Sequence, residues 1–561
     1  MHYLLASLLL GFCTISSTAS AQAVQTLPAR VADEATLWLE CGQTYSGELK
    51  LLEARRVTVR TAGTCGKATL TPALPVKHWT RDPRQPKIWL AALPTKPLQV
   101  QLGDTFIAEA HHPNSAIQWL QGKRLTPLQL TAHIPNADLA GATIVWRAAD
   151  WLIQSRPITR YEAGVLSLAN GDDEGFGLPA TTEFYVEGKR WMLDAPGEWA
   201  WQDGVLSVWP PDGLSPEGRA WASVAARAID ARGSRQVSII NVRMVGASIA
   251  VDGRGSEHLQ VLDTEILNSA EAALLLGSGA QVQNVWVKGS RQHGLLADLD
   301  AYGILVRDSR FDDIGMLGMP RRSKGAIVFE QARNVVVERN RISRASYLGI
   351  RVFRAARVAE NYIQQACLRL SDCGGIYTFA RDRQPLDTVI ERNRVVDLAG
   401  RTAYGIYLDD FANGVRVVGN HLENNGGGIQ LHNGFQNEIR ANRFVNNRYE
   451  QMLFNETAPF ASISGNQIHD NQFLSTRAIP VYRLWSRHGG AHVKRFADFR
   501  GNAYQHPPAG FAEVEGVGML DLSRWRQQFA DEQEALRSDS KRPIKQDALR
   551  SGSVRAPQLD R

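Results

Sequence analysis

From about residue 236 to 475 one short pattern recurs: alternating apolar residues, then Asn or Asp, then a second apolar alternation. It reads RNVVVERNRI at 333–342, DTVIERNRV at 387–395, VRVVGNHL at 415–422 and NEIRANRF at 437–444. The polar marker falls at Asn241, Asp263, Asn284, Asp308, Asn340, Asn361, Asn393, Asn420, Asn442 and Asn466, with gaps of 21 to 32 residues. Short period-2 strands at such a spacing, without amphipathic helices, are the mark of a β-solenoid. One turn of chain cannot bury its apolar residues alone, so coils stack with Val, Ile and Leu inside and Asn at the corners. The two gaps of 32, after Asp308 and Asn361, leave chain for loops, and loops on a rigid scaffold are where sites are usually built.

The flanks lack this period. Residues 1–21 run from an apolar stretch into Ala19-Ser20-Ala21 and are expected to be a cleaved signal peptide, making the protein periplasmic or extracellular. Residues 22–75 read as a cap and first coil, 76–225 as an inserted β-rich domain rich in Trp and Pro, and 226–475 as the solenoid. A capping region at 476–540, with an amphipathic helix over 522–536, precedes a basic, disordered tail at 541–561. Cleavage leaves Cys41, Cys65, Cys367 and Cys373. Export and closeness in sequence predict the pairs Cys41–Cys65 and Cys367–Cys373, and no metal-site spacing accompanies them. No membrane span, nucleic-acid partner, metal or cofactor is expected, and the chain reads as a monomer. The net charge of +6 suits an acidic glycan as well as a neutral one.

Several segments carry a resemblance: EFYVEGKRWMLDAPGEWAWQDGVLSVWPPDG (183–213), SDCGGIYTF (371–379), YGIYLDDFANG (404–414), and GNAYQHP with LSRW (501–507, 522–525). Together they resemble the bacterial right-handed parallel β-helix glycoside hydrolases, a group with fucosidase and xylanase members. The resemblance implies an all-β, right-handed parallel β-helix with an inserted N-terminal β-rich domain and a short C-terminal helix and tail. It also implies a polysaccharide substrate and two catalytic carboxylates, one from a D-x-G-G-x-Y-T element and one from G-I-Y-L-D-D. These map onto Asp372, where this chain has Asp-Cys-Gly-Gly, and onto Asp409 or Asp410.

The residues themselves allow a parallel argument. If Ile406 and Leu408 fill the coil interior, Tyr407 and Asp409 point outward. Aligning coils on their glycines puts Phe329, Phe353, Phe379, Asp409 and His432 in one outward column and Arg351, Tyr377, Tyr407 and Gln430 in the next. Rings to stack a sugar beside charges to do chemistry make Tyr377, Tyr407, His432, Arg351 and Gln430 the substrate-binding candidates. Glycosidic hydrolysis needs one protonated and one ionised carboxyl. Adjacent strand residues face opposite ways, so Asp409 and Asp410 share a groove only if Asp410 begins a turn. On a straight strand Asp372 lies too far back to meet Asp409, so a bend at Cys373-Gly374-Gly375 is needed. A lyase or epimerase would instead use Lys324, Arg351 or His432 as base, and a non-catalytic glycan-binding or exopolysaccharide-export role would use none. Arg354, Glu330, Asn455 and Glu456 are lesser candidates.

Overall fold

The computed structural model describes residues 24–171 and 175–529. The signal peptide at 1–21, the C-terminal part of the expected helix and the basic tail lie outside the described residues. The chain forms two compact units. One takes residues up to Val352 together with Gln365–Asp372, the other Phe353–Gln364 and the chain from Cys373 onward.

In the first unit three parallel ladders wind the solenoid, and each stacks one inward residue per coil. One column is Val59, Ile239, Val261, Val282, Val306 and Val337. A second is Leu70, Met244, Ile266, Val287, Phe311 and Ile342. The third is Ile229, Val251, Leu274, Leu295, Ile327 and Ile350. All eighteen are fully buried. Branched side chains at every second position pack well on a pleated surface, and stacking like on like buries a continuous core.

Between the strands Ala68–Thr71 and Arg227–Asp230 the first unit departs from coiling. An eight-stranded sheet and a seven-stranded sheet, largely antiparallel, occupy this stretch. In the second of these Thr181–Glu187 pairs with both Leu120–Thr126 and Thr143–Ala149, closing a small barrel. Each sheet has its own apolar core, one around Trp146 and Phe184 and the other around Ile107 and Trp199. Polar contacts fasten the insertion to the coils: buried Glu187 pairs with Arg291 and Arg321, and the Tyr185 hydroxyl donates to the Pro320 carbonyl at 3.0 Å. Cys41 and Cys65 are bonded with Cα atoms 5.4 Å apart, and Cys367 and Cys373 are both disulfide-bonded.

The second unit is wound the same way, with Val358, Ile390, Val417, Ile439, Ile468 and Phe499 forming one inward column. A polar spine runs beside it. Asn361, Asn393, Asn420, Asn442, Asn471 and Asn502 stack at one corner, each Nδ2 donating to the next Oδ1 at 2.9–3.1 Å. Each accepting Oδ1 also takes the backbone N–H of the Asn before it in the stack; for Asn420 that donor is Asn393 at 2.9 Å. These amides are at most 1% exposed, and such burial is tolerable only because donors and acceptors are matched. Asn466 corrects the expected series: it stacks with Asn437 at a different corner. The helix Leu522–Phe529 covers the last coils, its fully buried Trp525 stacked 4.7 Å from Tyr482. Among the described residues no helix is long and apolar enough to cross a membrane.

Candidate active site

Four strands of the second unit lie side by side: Cys373–Phe379, Ala403–Asp409, Gly427–His432 and Glu450–Glu456. Their register sets Ile376, Ile406, Ile429 and Met452 in one buried column. The next position along places Tyr377, Tyr407, Gln430 and Leu453 together, facing out. Two residues further, Phe379 pairs with Asp409, and His432 with Asn455. Period-2 alternation on stacked strands therefore gathers the outward residues into columns one strand spacing apart.

Asp409 ends its strand, and Asp410 and Phe411 follow with φ of 31° and 65°. Two successive residues in or near the left-handed region turn the chain sharply, and the Ala412 N–H closes back onto the Asp409 carbonyl at 2.9 Å. The turn brings Asp410 round to the side of Asp409 instead of the opposite face. His432 Nδ1 lies 2.6 Å from Asp409 Oδ1 and 3.7 Å from Asp410 Oδ1.

Around this doublet the partners are specific. The Tyr377 hydroxyl donates to Asp409 Oδ2 at 2.6 Å, and Arg381 Nε donates to Asp410 Oδ2 at 2.6 Å. His432 Nε2 sits 2.6 Å from Thr457 Oγ1. An ionised carboxylate can only accept, so Nδ1 carries the proton it shares with Asp409. Burial pushes the Asp409 pKa up, but the hydrogen bond and charge of His432, with the Tyr377 hydroxyl, outweigh it and hold the group below the usual carboxylate range. Asp409 is ionised at neutral pH.

Tyr377, Tyr407, Asp409, Asp410, Gln430 and His432 thus fall within one neighbourhood. Tyr407 is only 2% exposed and meets Tyr377 edge-on at 5.4 Å, so it is a floor under Tyr377; Gln430 is buried beside it. The expected outward ladder of rings needs correcting at Phe329 as well, which is fully buried. Asp372 and Arg351 belong to the first unit. The Asp372 carbonyl accepts the Tyr347 hydroxyl at 3.0 Å. Glu330 takes both Lys324 at 3.0 Å and Arg351 at 3.3 Å, so the two basic candidates of that unit share one carboxylate. Arg354 is held by Asp382. Buried Glu456 anchors the following loop through Ser462 N–H, Ile463 N–H, Ser486 and His492.

Sequence reasoning passed over three features. Arg381 lies two residues past Phe379, a same-face spacing that could have marked it. Arg383 lies against the stacked pair Phe411 and Phe460, at 4.9 and 4.0 Å from the ring centres. Glu450 is 2% exposed, bonded to the Tyr404 hydroxyl at 2.8 Å and Arg483 at 2.9 Å, and burial raises its pKa. Gly427 makes that contact possible, since a Cβ there would stand 2.3 Å from the Tyr404 ring. Asp409, Asp410 and His432 also offer donor atoms within 4.8 Å of one another and are the residues that could hold a metal ion. The contact between His432 and Asp409 is a hydrogen bond, so a cation there would have to displace its proton.

Residues 227–493 match the family model described as a right handed beta helix region. The fold is a right-handed parallel β-helix. No curated protein matches it by sequence. Among solved structures, a glycoside hydrolase is similar over 79% of this chain and 89% of its own, at 13% identity and a TM-score of 0.57. A GH87 α-1,3-glucanase catalytic unit from Streptomyces thermodiastaticus is similar over 72% of this chain and 93% of its own, at 12% identity and TM-score 0.37. The A-module of a mannuronan C-5 epimerase from Azotobacter vinelandii is similar over 52% and 75%, at 11% identity and TM-score 0.33. At these identities the likeness is one of fold.

Proposed function

We propose that this protein is an exported carbohydrate-active enzyme that hydrolyses glycosidic bonds of a polysaccharide with a pair of Asp carboxylates. The observation that carries the reading is the turn at Asp410, which sets two adjacent carboxylates on one side of the sheet beside His432. Asp409, held ionised, is the group that attacks the sugar or activates water. Asp410 is the proton donor to the leaving oxygen. Splitting the roles this way follows from the environment of Asp409: a carboxyl already held ionised leaves the donor's part to its neighbour. The resemblance gives Asp372 the second role instead, and Asp372→Asn reads which carboxyl partners Asp409.

A second reading is a lyase or epimerase acting on a uronate. It is favoured by the convergence of His432 and Tyr377 on one carboxylate with Arg381 alongside, a set able to move a C5 proton while neutralising a sugar carboxylate. One screen separates the two. The protein is offered neutral and uronic polysaccharides while new reducing ends and ultraviolet absorbance of unsaturated sugars are followed together. The hydrolase reading expects reducing ends without unsaturation. Unsaturated products overturn it in favour of a lyase, and a changed uronate pattern in the proton NMR of the polymer, with neither of those signals, overturns it in favour of an epimerase; a polymer unchanged by all three readouts on every substrate overturns both readings.

A further inference from the structure

The segment 183–213 plays no part in the chemistry above, yet it builds most of a second concave site. In the inserted region a cavity of about 390 Å³ opens between the 3-10 turn Arg190–Met192, which follows a barrel strand, and the end of the strand Val205–Trp209 in the neighbouring sheet. Its walls are the half-buried indoles of Trp191 and Trp209, with buried Ile88 and Leu193 beneath them. Lys87 and Asp194 are exposed at the rim.

The walls are held in place. Trp191 Nε1 donates to the Asp138 carbonyl at 3.0 Å, and both indoles pack on the barrel core around Trp146 and Phe184. Arg190 is tied to Asp82 at 2.6 Å, and Asn114 Nδ2 donates to Asp194 Oδ1 at 2.7 Å. Lys87 Nζ stands 5.2 Å from the centre of the Trp209 ring. The cavity is therefore preorganised and lies within the size range of small-molecule sites, roughly 300–1,000 Å³.

We propose that this cavity is a binding site for a neutral pyranose unit of a glycan chain, separate from the catalytic cluster. A pyranose presents an apolar C–H face that packs on indole rings and a perimeter of hydroxyls that both donate and accept. Here two indoles meet a rim offering an acceptor, the Asp194 carboxylate, and a donor, the Lys87 ammonium. The rim carries both signs, so it provides no net field for a uronate carboxylate, and equatorial hydroxyls satisfy both groups without leaving a charge buried. The site holds its sugar whether or not Asp409 and Asp410 cleave one.

Affinity electrophoresis of the full-length protein tests this, in gels containing xylan, β-1,3-glucan, α-1,3-glucan or mannan, with alginate and polygalacturonate gels as the acidic arm. An Asp409→Asn, Asp410→Asn background prevents turnover during the run. At least one neutral polysaccharide should retard the protein. Trp191→Ala should weaken that retardation about tenfold, the order expected for losing an aromatic stacking partner. Because Trp191 touches the barrel core, the rim pair Lys87→Ala with Asp194→Ala is run alongside and should also weaken binding, with an unchanged thermal midpoint. Absence of retardation in every neutral gel, retardation by the acidic polymers alone, or undiminished retardation of the folded rim variant would overturn the proposal. Failure of the catalytic reading shows separately, as a parent protein that yields no product from the polysaccharide it binds.

Discussion

The corners of the early coils and those of the late coils solve one backbone problem in two ways. In the first unit Asn241, Asp263, Asn284 and Asp308 themselves take the left-handed conformation, with φ between 51° and 55°. The residues after them, Val242, Thr264, Val285 and Ser309, are buried. In the second unit Glu360, Arg392, Gly419, Ala441, Asp470 and Gly501 take that conformation, and the next residue is always a buried Asn. Asn and Asp tolerate the left-handed region better than most residues, so the early corners are stabilised by local preference. In the late coils the corner is fixed from inside by the amide spine, and the residue at the bend is free to vary. The cluster proposed as catalytic stands on the late coils, whose register is pinned at every turn.

That difference can be broken by substitution. Asn420→Leu removes an acceptor for two donors of Asn393 and donors to Ile390 and Asn442. Stranding several buried polar groups at about 1–3 kcal/mol each should destabilise the protein by about 3 kcal/mol or more in chemical denaturation. A loss under about 1 kcal/mol would mean that the spine does not carry the late coils.

The first unit offers a buried polar group of its own for the next test. Asp252, fully buried, is ion-paired with Arg254 and Arg227. Burial alone would raise its pKa, but the two guanidinium groups bring it down to about 2. A carboxyl lowered on folding contributes stability above its unfolded pKa of about 3.9 and loses it as pH falls towards about 2. Asp252→Asn should therefore cost about 2 kcal/mol at about pH 7, with the gap to the parent closing between about pH 4 and about pH 2. A gap that persists at the acid end of that window would remove charge as the cause.

The smallest effect belongs to an early corner. Asn284 is exposed, and its Nδ2 donates to Asp263 Oδ1 at 2.7 Å. Asn284→Gly should leave stability within about 0.5 kcal/mol, because glycine accepts the left-handed conformation without steric strain. A loss matching that of Asn420→Leu would erase the distinction between the two kinds of corner.

The stacked coils were legible because the marker period and the alternation each reflect a strong constraint, repeated many times. The register of the marker was not. A polar residue at the left-handed position and one a single residue later both suit a corner. Asp308, which makes its bend itself, and Asn340, which follows the bend at Arg339 and turns its amide inward to Ser309 N–H, therefore look alike in the sequence. The Asp409–Asp410 doublet shows the same limit. Alternation sends Asp410 to the face opposite Asp409, and no glycine announces the turn that reverses it. Tyr407 and Gln430 fell in the right column, but both are buried, Tyr407 with Tyr377 packed edge-on against it, which alternation does not encode.

We propose Asp409 and Asp410 as a pair acting on one glycosidic bond. The most direct measurement is turnover by Asp409→Asn and Asp410→Asn on a polysaccharide that the parent cleaves, with the anomer of the first-formed sugar read by NMR. Each variant should lose about 10²- to 10⁴-fold in rate while keeping its fold. Donor atoms of the two carboxylates lie within 4.8 Å, short of the roughly 6.5–9.5 Å that leaves room for an attacking water, so the product should keep its anomeric configuration. Turnover at the parental rate in both variants would remove the carboxylate pair from the chemistry.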